Sequence, residues 1–493
     1  MLGRIDQLKE DYMKKSLVKN SLYNILYKII SVLYPLVAVT YVSHILMSEK
    51  MGMVNYAQNI VSYFVIIAAL GIPTYGIREI AVRSDDLYER SNLFWELLII
   101  NTISTTFASI GYIILINAVE KFQDQMLLYM VAGLQLLFNY LNVDWFYQGL
   151  EEYKYISIRS IFVKLVALLL LPILIRTSDD YIWYAFIYCF AIAGNNIFNI
   201  VRIRKYIGRP NRKLQLLKHL KPISILLMVS VAVEIYAMID TTMLGIFCDD
   251  STVGCYSNAM KLVRMVTTTS AAIGAVLFPR LSSVYNNSEY SEFNKLVNAG
   301  IKIMLMISIP ACIGMILLRN DIILLFFGET FLAADPILLV LSVMIPIVVC
   351  NTLMGGQVLV TTGQETKYMI SVVSASIVNV VLNSALIPRF GAPSAAVASL
   401  ISESLVLFLY ICFSRKQVRL RFSFKYIYSM LVPLAIYIVI HFFFLKPLKL
   451  NALWNIVINV IVCCALYFGG GFMLKNEAMI FAFSKGKSLL QRR

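Results

Sequence analysis

Three features of this 493-residue sequence predict an all-α integral membrane fold with about fourteen transmembrane helices. Hydrophobic residues make up 59% of the chain and charged residues only 14%, with a mean hydropathy of +0.75. Apolar segments near bilayer length recur without the period-2 alternation of a barrel strand. Basic residues gather in every second gap between them. A soluble domain carries about a quarter charged residues, so this chain lacks the polar surface to cover so large a core. In lipid only helices and closed barrels satisfy their own backbone groups.

The elements follow in order. Residues 1–20 are mostly polar and hold Arg4, Lys9, Lys14, Lys15 and Lys19. That reads as a cytoplasmic N-terminus before a retained first helix, not as a cleaved signal peptide. Spans at 21–46, 54–76, 93–117, 126–148, 156–175 and 181–201 form a first set of six. The run 202–221, with Arg202, Arg204, Lys205, Arg209, Arg212, Lys213, Lys218 and Lys221, is a basic cytoplasmic linker. Spans at 222–247 and 257–279 follow as a hairpin, and those at 298–318, 333–361, 368–388 and 393–413 complete a second six. Two more, at 425–444 and 452–474, precede a basic cytoplasmic tail at 475–493. With the N-terminus inside, the inner segments hold 29 Lys and Arg and the outer loops 7. That asymmetry sets both termini in the cytoplasm (N-in/C-in).

The predicted organisation is therefore two six-helix bundles, 21–201 and 222–413, plus two extra helices within 414–474. An internal echo supports a pseudo-repeat. Ala68-Ala69-Leu70-Gly71 with Arg78 beyond it matches Ala271-Ala272-Ile273-Gly274 with Arg280 beyond it, and Gly52 and Tyr56 match Gly254 and Tyr256.

Several chemistries are excluded. The eight cysteines form no CxxC pair, zinc spacing or disulfide framework, and there are only three histidines, His44, His219 and His441. No metal or cofactor is expected. Gly486-Lys487-Ser488 resembles the end of a phosphate loop, but the glycine required at 481 is Phe481 and no strand precedes it. The net charge of +15 reflects topology and lipid headgroups, with no basic-aromatic pattern for nucleic acid.

Ionisable residues inside spans carry the functional signal, since each costs about 2.5–3.5 kcal/mol at a helix centre. Lys28 and Lys164 lie deep in the first and fifth spans, either snorkelling or lining a cavity. Lys302 is shallower and snorkels. Glu234 and Asp240 lie in the seventh span, and Lys261 and Arg264, three apart, share a face of the eighth. Asp240 stands at a depth where it can pair with Lys261 and Arg264, leaving one surplus cation, while Glu234 needs a partner such as Lys28 or Lys164. A net cationic interior favours an anionic phosphate or pyrophosphate. Asn195 with Asn199, and Asn379 with Asn383, recur at helical spacing as interhelical hydrogen-bonders or sugar contacts.

Three stretches carry a family resemblance: Gly71-Ile72-Pro73-Thr74-Tyr75-Gly76-Ile77-Arg78-Glu79, Asp144-Trp145-Phe146-Tyr147-Gln148-Gly149 and Leu277-Phe278-Pro279-Arg280-Leu281-Ser282. With Gly356-Gln357-Val358-Leu359 and Asn383 through Gly391, the chain resembles the polysaccharide-biosynthesis (Wzx-type, O-antigen and capsule repeat-unit) flippases of the multidrug/oligosaccharidyl-lipid/polysaccharide exporter superfamily. The resemblance implies two bundles around a central cationic cavity. It adds Arg78 to Lys28 and Arg264 as substrate-handling residues. The implied substrate is a polyprenyl-(pyro)phosphate-linked oligosaccharide flipped across a bacterial cytoplasmic membrane, with membrane lipids, a polysaccharide polymerase and glycosyltransferases as partners. Rival readings are a lipid II or teichoic-precursor flippase, a multidrug exporter, whose cationic drugs would favour an acidic interior, and a membrane enzyme, for which the short outer loops and scarce histidines are poor material.

Overall fold

The computed structural model describes residues 2–480, and no strand occurs among them. Ten helical runs among the described residues are long and apolar enough to cross a membrane, so the chain is an all-α multi-pass membrane protein. It divides into two compact units, Met1–Met238 and Ile239–Arg493.

The first unit contains α1 (Leu2–Ala69), α2 (Ile72–Val82), α3 (Leu87–Ala118), the single turn α4 (Glu120–Gln123), α5 (Met126–Asn139), α6 (Asp144–Gly149), α7 (Tyr153–Leu174), α8 (Tyr181–Ala193), α9 (Asn195–Ile203) and most of α10 (Leu217–Phe247). A straight helix as long as α1 would reach about 100 Å, far beyond a bilayer core of about 30 Å. Met47, at φ 60° and ψ −178°, breaks it between the first two predicted spans. A second break, at Leu70 and Gly71 (φ 50° and 73°), falls inside the predicted 54–76 span and sets α2 off as a jointed segment. Gly71 is obligatory there, because a Cβ would also stand 2.9 Å from the Leu227 backbone nitrogen of α10.

α2 packs on α6, and this contact explains two of the sequence motifs together. A Cβ at Gly76 would collide with the Trp145 ring. Around that seat, Tyr75, Phe94, Phe146, Tyr147, Ile156 and Ile223 form a buried aromatic and aliphatic core. The basic linker is also docked: Trp95 Nε1 donates to the Gly208 carbonyl at 3.0 Å, and Asn92 and Asn211 exchange bonds of 2.7 and 3.1 Å.

The second unit contains α11 (Asp250–Asn286), α12 (Tyr290–Leu317), α13 (Arg319–Phe326), α14 (Asp335–Leu353), α15 (Glu365–Phe390), α16 (Ala392–Ser414), α17 (Phe424–Ile440) and α18 (Ala452–Met473). α11 is N-capped by Asp249, which accepts from the Thr252 amide. It runs unbroken through Gly274, whereas the matching Gly71 interrupts the chain. α14 is the hub, packed against α11, α12 and α16, and it continues into a π-helical turn at Met354–Leu359. α17 and α18 pack together and on α12 through Met306, Tyr426, Met430, Tyr437 and Tyr467.

Candidate functional site

In the first unit, Lys28 lies on α1, and its side chain is outside the described residues. Ser31, three positions on, accepts a 2.7 Å hydrogen bond from Lys164 Nζ of α7, so Lys164 reaches α1 one turn from Lys28. Arg78 projects from α2 into an exposed position, 3.2 Å from Glu79 and over the Tyr75 ring at 5.6 Å. Glu234 is exposed on α10.

In the second unit, Asp240 is 6% exposed. The expected partners were Lys261 and Arg264, but neutral donors hold its oxygens. Tyr256 Oη donates to Oδ2 at 2.6 Å, Ser399 Oγ donates to the same oxygen, and Asn383 Nδ2 donates to Oδ1 at 2.6 Å. Asn379 accepts a further bond from Asn383 Nδ2 at 3.1 Å. The asparagine pair of α15 thus orients a buried carboxylate. Lys261 is partly buried and lies 3.3 Å from Asn258 Oδ1. Arg264 is exposed one turn further along α11, followed by the exposed Thr268. Arg264 and Thr268 thus put a cation and a hydroxyl on the same exposed face of α11.

Three charged groups, two of them buried and one partly buried, were not singled out from the sequence. Glu96 of α3 is completely buried and accepts from His219 Nε2 at 2.8 Å, the Gln215 amide at 2.8 Å and Lys218 Nζ at 3.2 Å. His219 Nδ1 faces Tyr75 Oη at 2.8 Å. Burial holds the His219 imidazole below its ordinary value. The neutral ring fits its partners, donating from Nε2 to Glu96 and accepting the Tyr75 hydroxyl at Nδ1. The chain Tyr75–His219–Glu96 therefore ties α2, which carries Arg78, to α10 and α3. Arg159 of α7 is buried against Asp144 at 2.8 Å and against Asn199, which donates to the same carboxylate. This gives Asn199 and the Asp144 motif a structural duty. Glu403 lies at the centre of α16 and accepts from Asn351 Nδ2 at 2.6 Å. Its position mid-span was the available signal, masked by a serine-rich setting that reads as an ordinary polar turn.

No group of three or more His, Cys, Asp or Glu able to hold a metal ion occurs among the described residues.

The profile of the polysaccharide biosynthesis protein family matches residues 17–285, and that of the MatE family matches residues 226–384. The chain is 24% identical over 232 residues to a Haloferax volcanii protein named "Probable low-salt glycan biosynthesis flippase Agl15". That match spans 47% of this chain and only about half (49%) of the relative. It is 22% identical to the "Capsular polysaccharide biosynthesis protein CapF" of Staphylococcus aureus, over 81% of this chain and 100% of the relative. The fold is similar to that of a solved structure titled "Lipid II flippase MurJ, inward closed conformation", with a TM-score of 0.70 at 15% identity, over 92% of this chain and 99% of that one.

Proposed function

The chain belongs to the polysaccharide biosynthesis protein family, and from that premise we propose that it is a flippase for a polyprenyl-(pyro)phosphate-linked oligosaccharide. It moves the repeat unit from the inner to the outer leaflet of a bacterial cytoplasmic membrane, for surface polysaccharide assembly. The names of relatives such as the glycan biosynthesis flippase and the capsular polysaccharide protein support this class of substrate. The finer topology proposed is fourteen spans with both termini inside, supported by the 29-to-7 distribution of Lys and Arg. The six-plus-six-plus-two organisation is proposed with it.

The observation that carries the reading is the cationic face of α11. Arg264 is exposed on α11, within the proposed eighth span, with Lys261 one turn away. A guanidinium binds phosphate oxygens bidentately, and an exposed arginine beside a partly buried lysine disfavours the cationic drugs of a multidrug exporter. Lys28, Arg78 and Lys164 offer phosphate a second set of cations in the first unit, which also holds Glu234, while Asp240 sets the local charge in the second. The headgroup crosses through protein while the prenyl chain stays in lipid, which avoids dragging a hydrated charge through hydrocarbon. Polymerase and glycosyltransferases are the proposed functional partners.

The test is translocation in vesicles reconstituted with the full chain. A short-chain polyprenyl-pyrophosphate oligosaccharide should cross, and Arg264→Ala should abolish crossing while inserting normally. Wild-type rates from a well-folded Arg264→Ala protein would remove the physical basis of the proposal.

A further inference from the structure

A groove of about 420 Å³, a volume usual for a small-ligand site, lies on the first unit where three elements meet. It is walled by Ile67 and Leu70 at the end of α1, Ile100, Ile103 and Phe107 of α3, and Leu217 at the start of α10. The α3 wall spans seven residues, about 10 Å. Ser104, the polar side chain of the lining, is turned into the protein, where its hydroxyl donates to the Ala68 carbonyl at 2.6 Å. What is left facing the groove is apolar. Ile103 and Phe107 are exposed, and they begin a stripe that the exposed Ile110 and Ile114 continue at helical spacing. All four lie within Leu87–Ala118, a run long and apolar enough to cross a membrane. An exposed apolar stripe on such a helix borders lipid, so the groove opens toward the bilayer.

One end of the groove is cationic. Glu96 fixes the level there, because it holds Gln215, Lys218 and His219 against α3 one turn from Ile100. Leu217 and Lys221 are four apart and share a face of α10, which puts Lys221 at the rim. Lys221 is exposed and is not ion-paired among the described residues. Lys218 keeps part of its side chain exposed while it pairs with Glu96. The linker before them adds Arg204, Lys205, Arg209 and Lys213, all exposed. Of the nearby acids, Glu89 is taken by Arg212, and the exposed Asp85 and Asp86 lie about 15 Å further out than Glu96, at the start of α3. The charge at this end is therefore positive, while the floor carries none. Leu70, one wall of the groove, is also half of the break that sets α2 off from α1.

From this juxtaposition we infer that the groove seats one anionic diacyl phospholipid of the surrounding bilayer. One acyl chain lies along Ile100, Ile103 and Phe107 and over Leu70, and the headgroup phosphate sits at Lys218 and Lys221. Charge complementarity selects the headgroup, since lysines near a membrane surface attract anionic lipid. A lysine stem also lies along apolar surface while its charge reaches headgroup level. The floor selects the chain, because its one hydroxyl is already bonded and nothing is left there to hold a sugar. Lysines at the rim suit a headgroup held as a point charge, whereas a pyrophosphate is better matched by an arginine fork. The bound chain packs against Leu70 and so braces the joint beyond which α2 carries Arg78. The inference uses only the place of the chain in a membrane and does not depend on the flippase reading.

The experiment places the full chain in nanodiscs containing phosphatidylglycerol with a photoreactive group midway along one acyl chain, and locates the labelled peptides by mass spectrometry. Labelling should concentrate on residues 100–107 and on the start of α10, and should be several-fold weaker when phosphatidylcholine carries the same group. Lys221→Gln should lower phosphatidylglycerol labelling about fivefold, the weight of one lysine near anionic headgroups, and leave phosphatidylcholine labelling unchanged. Ile103→Trp, which fills the groove, should remove labelling at the start of α10 for both lipids. Lys154→Gln, an exposed cation of α7 outside the groove lining, should change nothing. Labelling spread evenly over the exposed helix faces, or equal for the two lipids, overturns the inference. Displacement of the label by equimolar polyprenyl phosphate would give the groove to a substrate chain and overturns it too. So does an Ile103→Cys protein that forms disulfide-linked dimers in place of labelling, which would give the groove to a second copy.

Discussion

His219→Ala is expected to release the start of α10 from α2 and α3. Glu96 is completely buried and holds three donors, one of them the His219 imidazole. Removing the ring deletes a hydrogen bond to a charged group, worth about 1.5–3 kcal/mol, and orphans the Tyr75 hydroxyl, which costs about 1–3 kcal/mol when buried. Together the local opening free energy should fall by about 3–5 kcal/mol. At a factor of ten per 1.4 kcal/mol, that is roughly a 10²- to 4 × 10³-fold faster exchange of protected amides. The assay is hydrogen exchange read by mass spectrometry over α2 and residues 208–221. Tyr75→Phe alone should produce a smaller effect. The double variant should fall short of the sum, with a coupling of about 1–3 kcal/mol. Exposed Lys213→Ala serves as the control and should change nothing. Wild-type exchange rates in His219→Ala would refute the claim that this chain of bonds holds α2, and with it Arg78, in place.

Other outcomes follow from single contacts. Gly76→Leu should destabilise by about 1–3 kcal/mol through overpacking against Trp145, and Trp145→Leu should partly rescue it in thermal unfolding. Asp240→Leu should lower thermal stability more than Asp240→Asn, because leucine leaves Tyr256, Ser399 and Asn383 with donors and no acceptor. The hydrogen bond from Lys302 holds Glu477 below its ordinary carboxyl value. Its stabilising contribution is therefore present above the ordinary glutamate value near 4.3 and is lost as pH falls through the depressed one. Glu477→Gln should flatten that acid limb of a stability profile and leave the neutral-pH stability within about 1 kcal/mol.

The sequence made the helical architecture legible because lipid leaves the backbone so few options. The turn between the first two spans was readable at 47–53, and the break falls there, at Met47. The break at Leu70 and Gly71 was not legible, since apolar residues continue across it and only the close approach of Leu227 demands it. Asp240 was recognised as exceptional because an acid inside an apolar run stands out. Its partners were misjudged because charge alone was matched, and three neutral donors satisfy a buried carboxylate as well as a cation does. Glu96 escaped notice by lying near a span end, where acids are ordinary. Its burial depends on the docking of a linker more than a hundred residues away, which no local pattern encodes. Arg159 was hidden in the same way, at the start of α7, with its partners on α6 and α9.

Transbilayer movement of a polyprenyl-pyrophosphate oligosaccharide in vesicles, compared between the wild type and Arg264→Ala, tests the proposed activity most directly. The proposal predicts rapid protein-dependent movement that the single substitution eliminates, and little movement of an analogue whose headgroup carries no phosphate. Equal rates for the two proteins, or equal rates for the charged and uncharged substrates, would contradict it.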